Sequence, residues 1–372
     1  MSESTYPGTK EKVRRYNCPG CSAGLIFEPK DGALICPYCG RKEQIPSGAE
    51  EVKEQAYLDY LNESLSRCGT LADNALEADC SSCGSAVTFS PPEVAGQCPF
   101  CGTAVVAQPK SANPVVVPGG VLPFKVTKPQ AVSSIREWLA SRWLAPSALK
   151  DLARQESISG VYLPFWTYDA YTVSHYTGER GEHYWETETY FETDSEGKRQ
   201  VRTRQVRRTR WYPATGTVSR WFDDVLVPAT TSVSDGRLVA LQPWDLKVLE
   251  PYDPAFLAGF KAQRYQIALP DGFEHAKVTM QAVIRGDIRQ NIGGDEQRIH
   301  QAATAYSAIT FKHLLLPVWI GAYRFNQKVY QVLVNARTGE VQGDRPFSPW
   351  KIAALVLFLL SVFLVLVYLG HK

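Results

Sequence analysis

Eight of the nine cysteines fall into two copies of one pattern. The first is Cys18-Pro-Gly-Cys21 followed by Cys36-Pro-Tyr-Cys39, and the second is Cys80-Ser-Ser-Cys83 followed by Cys98-Pro-Phe-Cys101. Fourteen residues separate the two pairs within each copy, and each position of the second copy lies 62 residues after its counterpart. Two thiolates presented from a tight knuckle grip one soft metal ion, and two knuckles complete a tetrahedral four-sulfur site. The pattern predicts two structural zinc ions, one on Cys18, Cys21, Cys36 and Cys39 and one on Cys80, Cys83, Cys98 and Cys101. With every ligand a cysteine, no coordination position is left for a reactive water. An iron–sulfur or redox role is the alternative chemistry, and disulfides are disfavoured because the polar stretch 1–15 shows no secretory signal. Cys68 stands outside the pattern and reads as an inert thiol, with redox sensing as its alternative.

Such knuckles need short hairpins to hold them. Leu25-Ile26-Phe27 and Ala33-Leu34-Ile35 flank a polar turn, and Ala86-Val87-Thr88-Phe89 opens the equivalent hairpin in the second copy. Gly40, Gly84 and Gly102 follow second cysteines, where the knuckle backbone turns sharply. These are expected to be zinc ribbons spanning 1–48 and 80–109. Between them, the linker 49–79 places Tyr57, Leu58, Leu61 and Leu65 at helical spacing, which predicts a short amphipathic helix. Residues 1–110 carry ten Lys or Arg and fourteen Asp or Glu, a net charge of −4, and each four-thiolate zinc centre adds about −2. That balance favours protein contacts over phosphate, leaving Arg14-Arg15 and Arg41-Lys42 as local basic exceptions.

A Pro-rich bridge at 110–120 leads to a cysteine-free, aromatic-rich region at 121–348. It is expected to be an α+β domain with mostly antiparallel sheet. Strands are predicted at 121–126 and 161–168, with a helix between them capped by Thr127 and carrying Val132, Ile135, Leu139 and Trp143 on one face. The order recurs as a strand at 265–269, a helix at 274–292 with Met280, Ile284, Ile288 and Ile292, and a second L-P-x-W at 316–319, which suggests an internal duplication. Between the units, acidic 183–192 and basic 198–210 form a predicted hairpin centred near Ser195, with Glu192, Glu188 and Glu186 facing Lys198, Arg202 and Arg204. Arg207, Arg208 and Arg210 then lack acidic mates and are the candidate surface for anionic lipid or nucleic acid. Asp223 and Asp224 form a carboxylate pair, but neighbours on a strand point to opposite faces, which argues against catalysis. His313 precedes Leu314-Leu315-Leu316 and reads as an ordinary core or edge residue. No phosphate-binding loop, dinucleotide fingerprint, H-E-x-x-H or G-x-S-x-G occurs, so no small-molecule substrate is evident.

Residues 352–369 contain no charge, long enough to cross the ~30 Å hydrocarbon core of a bilayer. Trp350 and Tyr368 stand where interfacial aromatics belong. The chain is expected to be a single-pass membrane protein anchored at 350–370, its remaining residues in the reducing cytosol.

The two ribbons, G-V-Y-L-P-F-W-T-Y-D-A at 160–170, F-D-D-V-L-V at 222–227, P-Y-D-P-A-F-L-A-G-F at 251–260, and K-H-L-L-L-P-V-W with V-N-A-R-T-G-E-V near the end are together similar to a bacterial family of membrane-anchored double-zinc-ribbon proteins. Its members are often labelled primosomal helicase-like or transcription-factor-IIB-type zinc proteins, and some resemble anchors of the phage-shock PspA envelope-stress system. A helicase is not expected, since this chain lacks the loop that couples nucleotide hydrolysis to unwinding. The resemblance implies a non-enzymatic scaffold that recruits a protein partner, PspA-like, to the cytosolic membrane face. A membrane-tethered nucleic-acid-binding protein is the alternative.

Overall fold

The structure, a computed structural model, describes residues 16–45, 52–62, 68–69, 76–80, 85–89, 95–101, 104–106, 115–142, 158–193, 199–325, 328–344 and 347–370. It is an α+β chain with a sheet-rich body, cysteine clusters near the N-terminus and one apolar C-terminal helix. The first ribbon is an antiparallel sheet of β1 (Ile26–Glu28), β2 (Ala33–Ile35) and β3 (Lys42–Gln44). In the second ribbon β6 (Leu76–Asp79) pairs with β7 (Ala86–Phe89), and β8 (Ala95–Gln97) with β9 (Ala104–Val106). Between the ribbons, β4 (Gln55–Ala56) runs straight into α1 (Tyr57–Asn62), while β5 (Cys68–Gly69) pairs with β10 (Val115–Val116).

The linker helix forms where its spacing places it, but its buried face differs. Tyr57 and Tyr60 are buried against Tyr168, Phe273 and Phe311, whereas Leu58 and Leu61 are exposed and Leu65 lies outside the described residues. A buried aromatic removes more apolar surface than an aliphatic at the same position, so the tyrosines take the inside. Because β4 pairs with the body sheet at Thr310 and Phe311, and Tyr57 and Tyr60 are buried, residues 55–60 of the linker belong to the body.

Past β11 (Gly120–Val121), α2 (Lys128–Ala140) starts at Thr127, whose N–H donates to Gln130 Oε1 at 2.8 Å, and buries Ala131, Ile135 and Leu139. Trp143 lies outside the described residues. Three very long strands follow: β12 (Ile158–Thr193), β13 (Arg199–Pro228) and β16 (Glu296–Phe325), in the order β13-β12-β16. Residues 161–168 of β12 are buried on both faces, which is why they read as an unbroken apolar run. Val161, Leu163 and Phe165 face one core, while Trp166 and Tyr168 face another.

That second core is closed by the 24-residue helix α4 (Leu269–Ile292), which buries Met280, Ile284, Ile288 and Ile292 as their stride of four requires. Tyr168 Oη donates to Leu269 O at 2.6 Å and Trp166 Nε1 to Ile267 O at 2.9 Å, fixing the helix start. Gly272 permits this approach, since a Cβ there would sit 2.5 Å from Tyr168 Oη. The short helix α3 (Asp235–Ala240) and strands β14 (Glu250–Pro251) and β15 (Lys261–Ala262) fill the connections. Finally β17 (Lys328–Asn335) returns along β16, β18 (Val341–Gly343) pairs with β17, and α5 (Pro349–Gly370) leaves the body. The expected strand at 265–269 is absent: this segment holds Trp166 and Tyr168 and opens α4. The duplication is thus without its first strand. The two L-P-x-W motifs instead meet in adjacent antiparallel strands, Leu163 opposite Leu316.

Beyond Gly181, β12 and β13 leave β16 behind and continue as a two-stranded arm to Thr193 and Arg199. The hairpin forms, with its register two residues from the expected one: Glu188 faces Arg204, Glu192 faces Gln200 and Glu186 faces Val206. A two-residue shift keeps every side chain on its expected face. The charges therefore still meet, as Arg204–Glu188 at 2.7 Å, Arg202–Glu192 at 2.7 Å and a close Arg208–Glu186 pair.

Candidate metal centres and a buried carboxylate cluster

Each first-ribbon knuckle is a chain reversal closed by its own backbone. In the first, Cys18 N–H donates to Ala23 O (2.7 Å) and Ser22 N–H to Cys18 O (2.7 Å). In the second, Cys36 N–H donates to Arg41 O (2.9 Å) and Gly40 N–H to Cys36 O (3.0 Å). Gly40 takes the left-handed turn at φ 71°, as the sequence suggests, but Ser22 takes it in the first knuckle at φ 59°. Gly84 and Gly102 lie outside the described residues.

This brings all four thiols together. Cys18 and Cys39 sulfurs are 3.4 Å apart, Cys21 and Cys36 3.4 Å, and Cys21 and Cys39 3.8 Å. A zinc ion with four sulfurs at ~2.3 Å requires sulfur–sulfur edges of about 3.8 Å, so the cluster fits such an ion. The Cys39 backbone N–H, opposed by burial and helped by the Tyr38 N–H, pulls the Cys36 thiol down to about 6, favouring the thiolate that a metal needs. In the second ribbon Cys80, Cys98 and Cys101 are buried together, with Cys80 and Cys101 sulfurs 3.4 Å apart. Its Cys80 N–H donates to Ser85 O at 2.9 Å, as Cys18 N–H does to Ala23 O in the first ribbon. Cys83 and its sulfur lie outside the described residues. The side chain of Cys68 likewise lies outside them.

Both clusters are welded to the body. Cys18, Leu25, Phe27, Leu34 and Cys36 share a core with Phe124, Tyr162, Phe256 and Trp319, and Phe27 N–H donates to Ala258 O at 2.9 Å. On the other side, Cys80, Cys98, Phe100 and Cys101 pack with Leu163, Phe165 and Trp244, and Gln331 Nε2 donates to Phe100 O at 2.6 Å.

A third cluster was not legible in sequence. Opposite β12, the register slips between Tyr168 and Ala170, so that Asp223 and Asp224 together oppose Asp169. This bulge, with Asp224 at φ 50°, breaks the alternation that would send the two aspartates to opposite faces. Ligand oxygens of Glu54, Asp169 and Asp223 lie within 4.8 Å of one another. Lys312 Nζ lies 2.7 Å from Asp224 Oδ1 and 3.2 Å from Glu54 Oε1, and Asp224 N–H donates to Asp169 Oδ1 at 2.6 Å. Burial, with Glu54 alongside, pushes Asp169 up to about 6 despite that N–H. The cluster joins linker, β12, β13 and β16 through a buried ammonium, an arrangement suited to holding segments in place.

The arginines expected to lie without partners have them. Arg208 pairs with Glu186, Arg210 stacks over Tyr184 at 4.9 Å, and Arg207 lies close enough to Glu296 to help lower that carboxyl. His313 is a core residue: its Nδ1 bonds Val116 O at 2.8 Å, and burial pulls its pKa down to about 4. No residue of helix α5 over 349–369 is buried, and its most apolar 18-residue stretch has a mean hydropathy of 3.1; by length and composition it can cross a membrane.

No protein-family model matches the chain, and no solved structure matches it. Among curated proteins, the uncharacterized protein YdjG of Bacillus subtilis (strain 168) is 26% identical over 341 residues, covering 91% of this chain and 92% of its own.

Proposed function

We propose that the chain is a non-enzymatic scaffold, held in the membrane by α5 and folded around two zinc ions, that recruits a protein partner to the cytosolic face. The observation that carries this reading is the all-cysteine cluster of the first ribbon, which leaves no ligand position for a reactive water and sinks Cys18 and Cys36 into the body core. A zinc ion there cross-links two knuckles and supplies folding energy, with the thiolates consumed as ligands. Cys83 completes the second set in this reading. The resemblance to envelope-stress anchors makes a PspA-like protein the first partner to test. Of the linker helix, Leu58 and Leu61 are exposed to a partner, whereas Tyr57 is buried in the body core. The nucleic-acid alternative has less support, since Arg202, Arg204, Arg208 and Arg210 are engaged by carboxylates or rings.

The full chain, solubilised from membranes in mild detergent and used as bait with and without nuclease, tests this directly. The scaffold reading expects a protein partner in nuclease-insensitive, stoichiometric amount. Recovery of nucleic acid, lost with nuclease and with rising salt, overturns it. Orientation is tested separately: protease added outside intact cells should leave residues 1–348 uncut.

A further inference from the structure

The long sheet has two unlike faces. Where it is three-stranded, α4 covers one face through contacts such as Tyr176 Oη to Asn291 Oδ1 (2.6 Å) and Arg220 to Asp287 (2.6 Å). The opposite face, carrying Tyr171 and Trp221, is exposed, and it continues without a register break in β12 and β13 onto the arm. There the charges and tyrosines answer one another on the helix-side face. The open face instead presents Trp185 at 67%, Phe191 at 68% and Val201 at 64% exposure, with Trp221 at 57% further down.

We propose that this open face docks a second copy of the chain, in an isologous pair whose two-fold axis passes by Gly181 and Trp211. The register supplies the first argument. Tyr171 opposite Trp221 lies ten residues to one side of Gly181, and Phe191 opposite Val201 lies ten residues to the other. Both pairs stand on the same face, since β12 and β13 stay in step from Ala170 to Thr193. Turning a second copy about Gly181 therefore lays the Tyr171–Trp221 pair of each copy on the Phe191–Val201 pair of the other, the mutual relation an isologous interface demands.

Charge supplies the second argument. Between those pairs the face carries Arg207 and Arg298 against Glu179 and Glu296, with His183 on Glu296 at 2.7 Å and His300 on Glu179 at 3.5 Å, so that with the histidines neutral the charges cancel. Arg298 lies 3.5 Å from Glu179 and stacks on Trp211 at 3.7 Å. A neutral face can meet itself without like-charge repulsion. Area is the third argument. With strands ~4.8 Å apart and a rise of ~3.3 Å per residue, the two strands that meet the partner's two strands cover roughly 630 Å² per copy, about 1,270 Å² for the pair. Stable specific interfaces bury about that much. This inference does not depend on the scaffold reading.

The test uses the full chain. In detergent, its protein mass measured by light scattering should correspond to two chains. Trp221→Glu and Phe191→Lys each replace an exposed side chain, and each should weaken the pair by roughly tenfold or more with zinc content unchanged. The double variant brings the new carboxylate at position 221 of each copy beside the new ammonium at position 191 of the other, at both ends, and should restore the pair. In membranes, a photo-crosslinker at position 191 should capture the 171 and 221 segments of a second copy. A wild-type monomer from low to tens of micromolar, a double variant that stays monomeric, or crosslinks that go to lipid or to an unrelated protein would overturn the proposal.

Discussion

The first ribbon and the distal arm are both built from antiparallel strand pairs, yet they are held in different ways. Ribbon strands of three residues are too short to stand alone, and they depend on four sulfurs drawn together at one end and on Phe27, Leu25 and Leu34 sunk into the body at the other. The arm runs twelve residues past Gly181 with neither metal nor core and relies on ladder hydrogen bonds, exposed ion pairs and cation–ring contacts. Side chains that the ribbon must bury, the arm leaves in solvent. The difference separates a part that stabilises the fold from a part available for contact.

The comparison breaks most visibly if the metal ligands can be lost without consequence. Cys36→Ser should remove one zinc and destabilise the body as well as the ribbon, because Cys36 shares the core of Tyr162 and Trp319. Thermal unfolding followed by the fluorescence of the body tryptophans should shift down by more than 10 °C, on the order of the loss expected for several kcal/mol. A ribbon that melts alone, leaving the body transition in place, would show the two to be independent.

Phe27→Ala tests the same weld without touching the metal. The ring packs on Phe256 at 5.6 Å and Phe260 at 6.4 Å, and its loss should cost about 3–5 kcal/mol in denaturant unfolding at constant zinc content.

These two regions also show what the residue order alone could convey. The cysteine spacing of the first ribbon, the stride of four in α4 and the uncharged tail are local patterns, and each stands where it was expected. Residues 161–168 read as a strand because both faces are buried, and 183–192 read as a hairpin strand from its charges, but the stretch 169–182 that joins them into one strand did not, since it is largely polar and alternates weakly. The Glu54–Asp169–Lys312 cluster draws on three segments up to 258 residues apart, and the bulge that turns Asp223 and Asp224 toward it leaves no local mark. Tyr57 and Leu61 share a helical face in the pattern, and only packing against Phe311 and Phe273 selects the tyrosine.

That carboxylate cluster gives an intermediate effect. Asp169 titrates near 6 in the folded chain, above its ordinary value, so its contribution to stability is present at low pH and lost as pH rises through about 6. Asp169→Asn removes that loss. The melting temperature of the variant relative to wild type should therefore rise between pH 5 and pH 7.5, whereas a constant difference would mean that Asp169 does not titrate there.

The smallest effect belongs to the arm. Arg204→Gln deletes the ion pair to Glu188, both partners being substantially exposed, and should change stability by no more than about 0.5 kcal/mol. A loss as large as that of Phe27→Ala would erase the contrast between the two regions.

Elemental analysis of the purified full chain tests the central claim most directly. The account predicts two zinc ions per chain, falling to one in Cys36→Ser. One zinc or none in the wild type, or iron with visible absorbance, would contradict it.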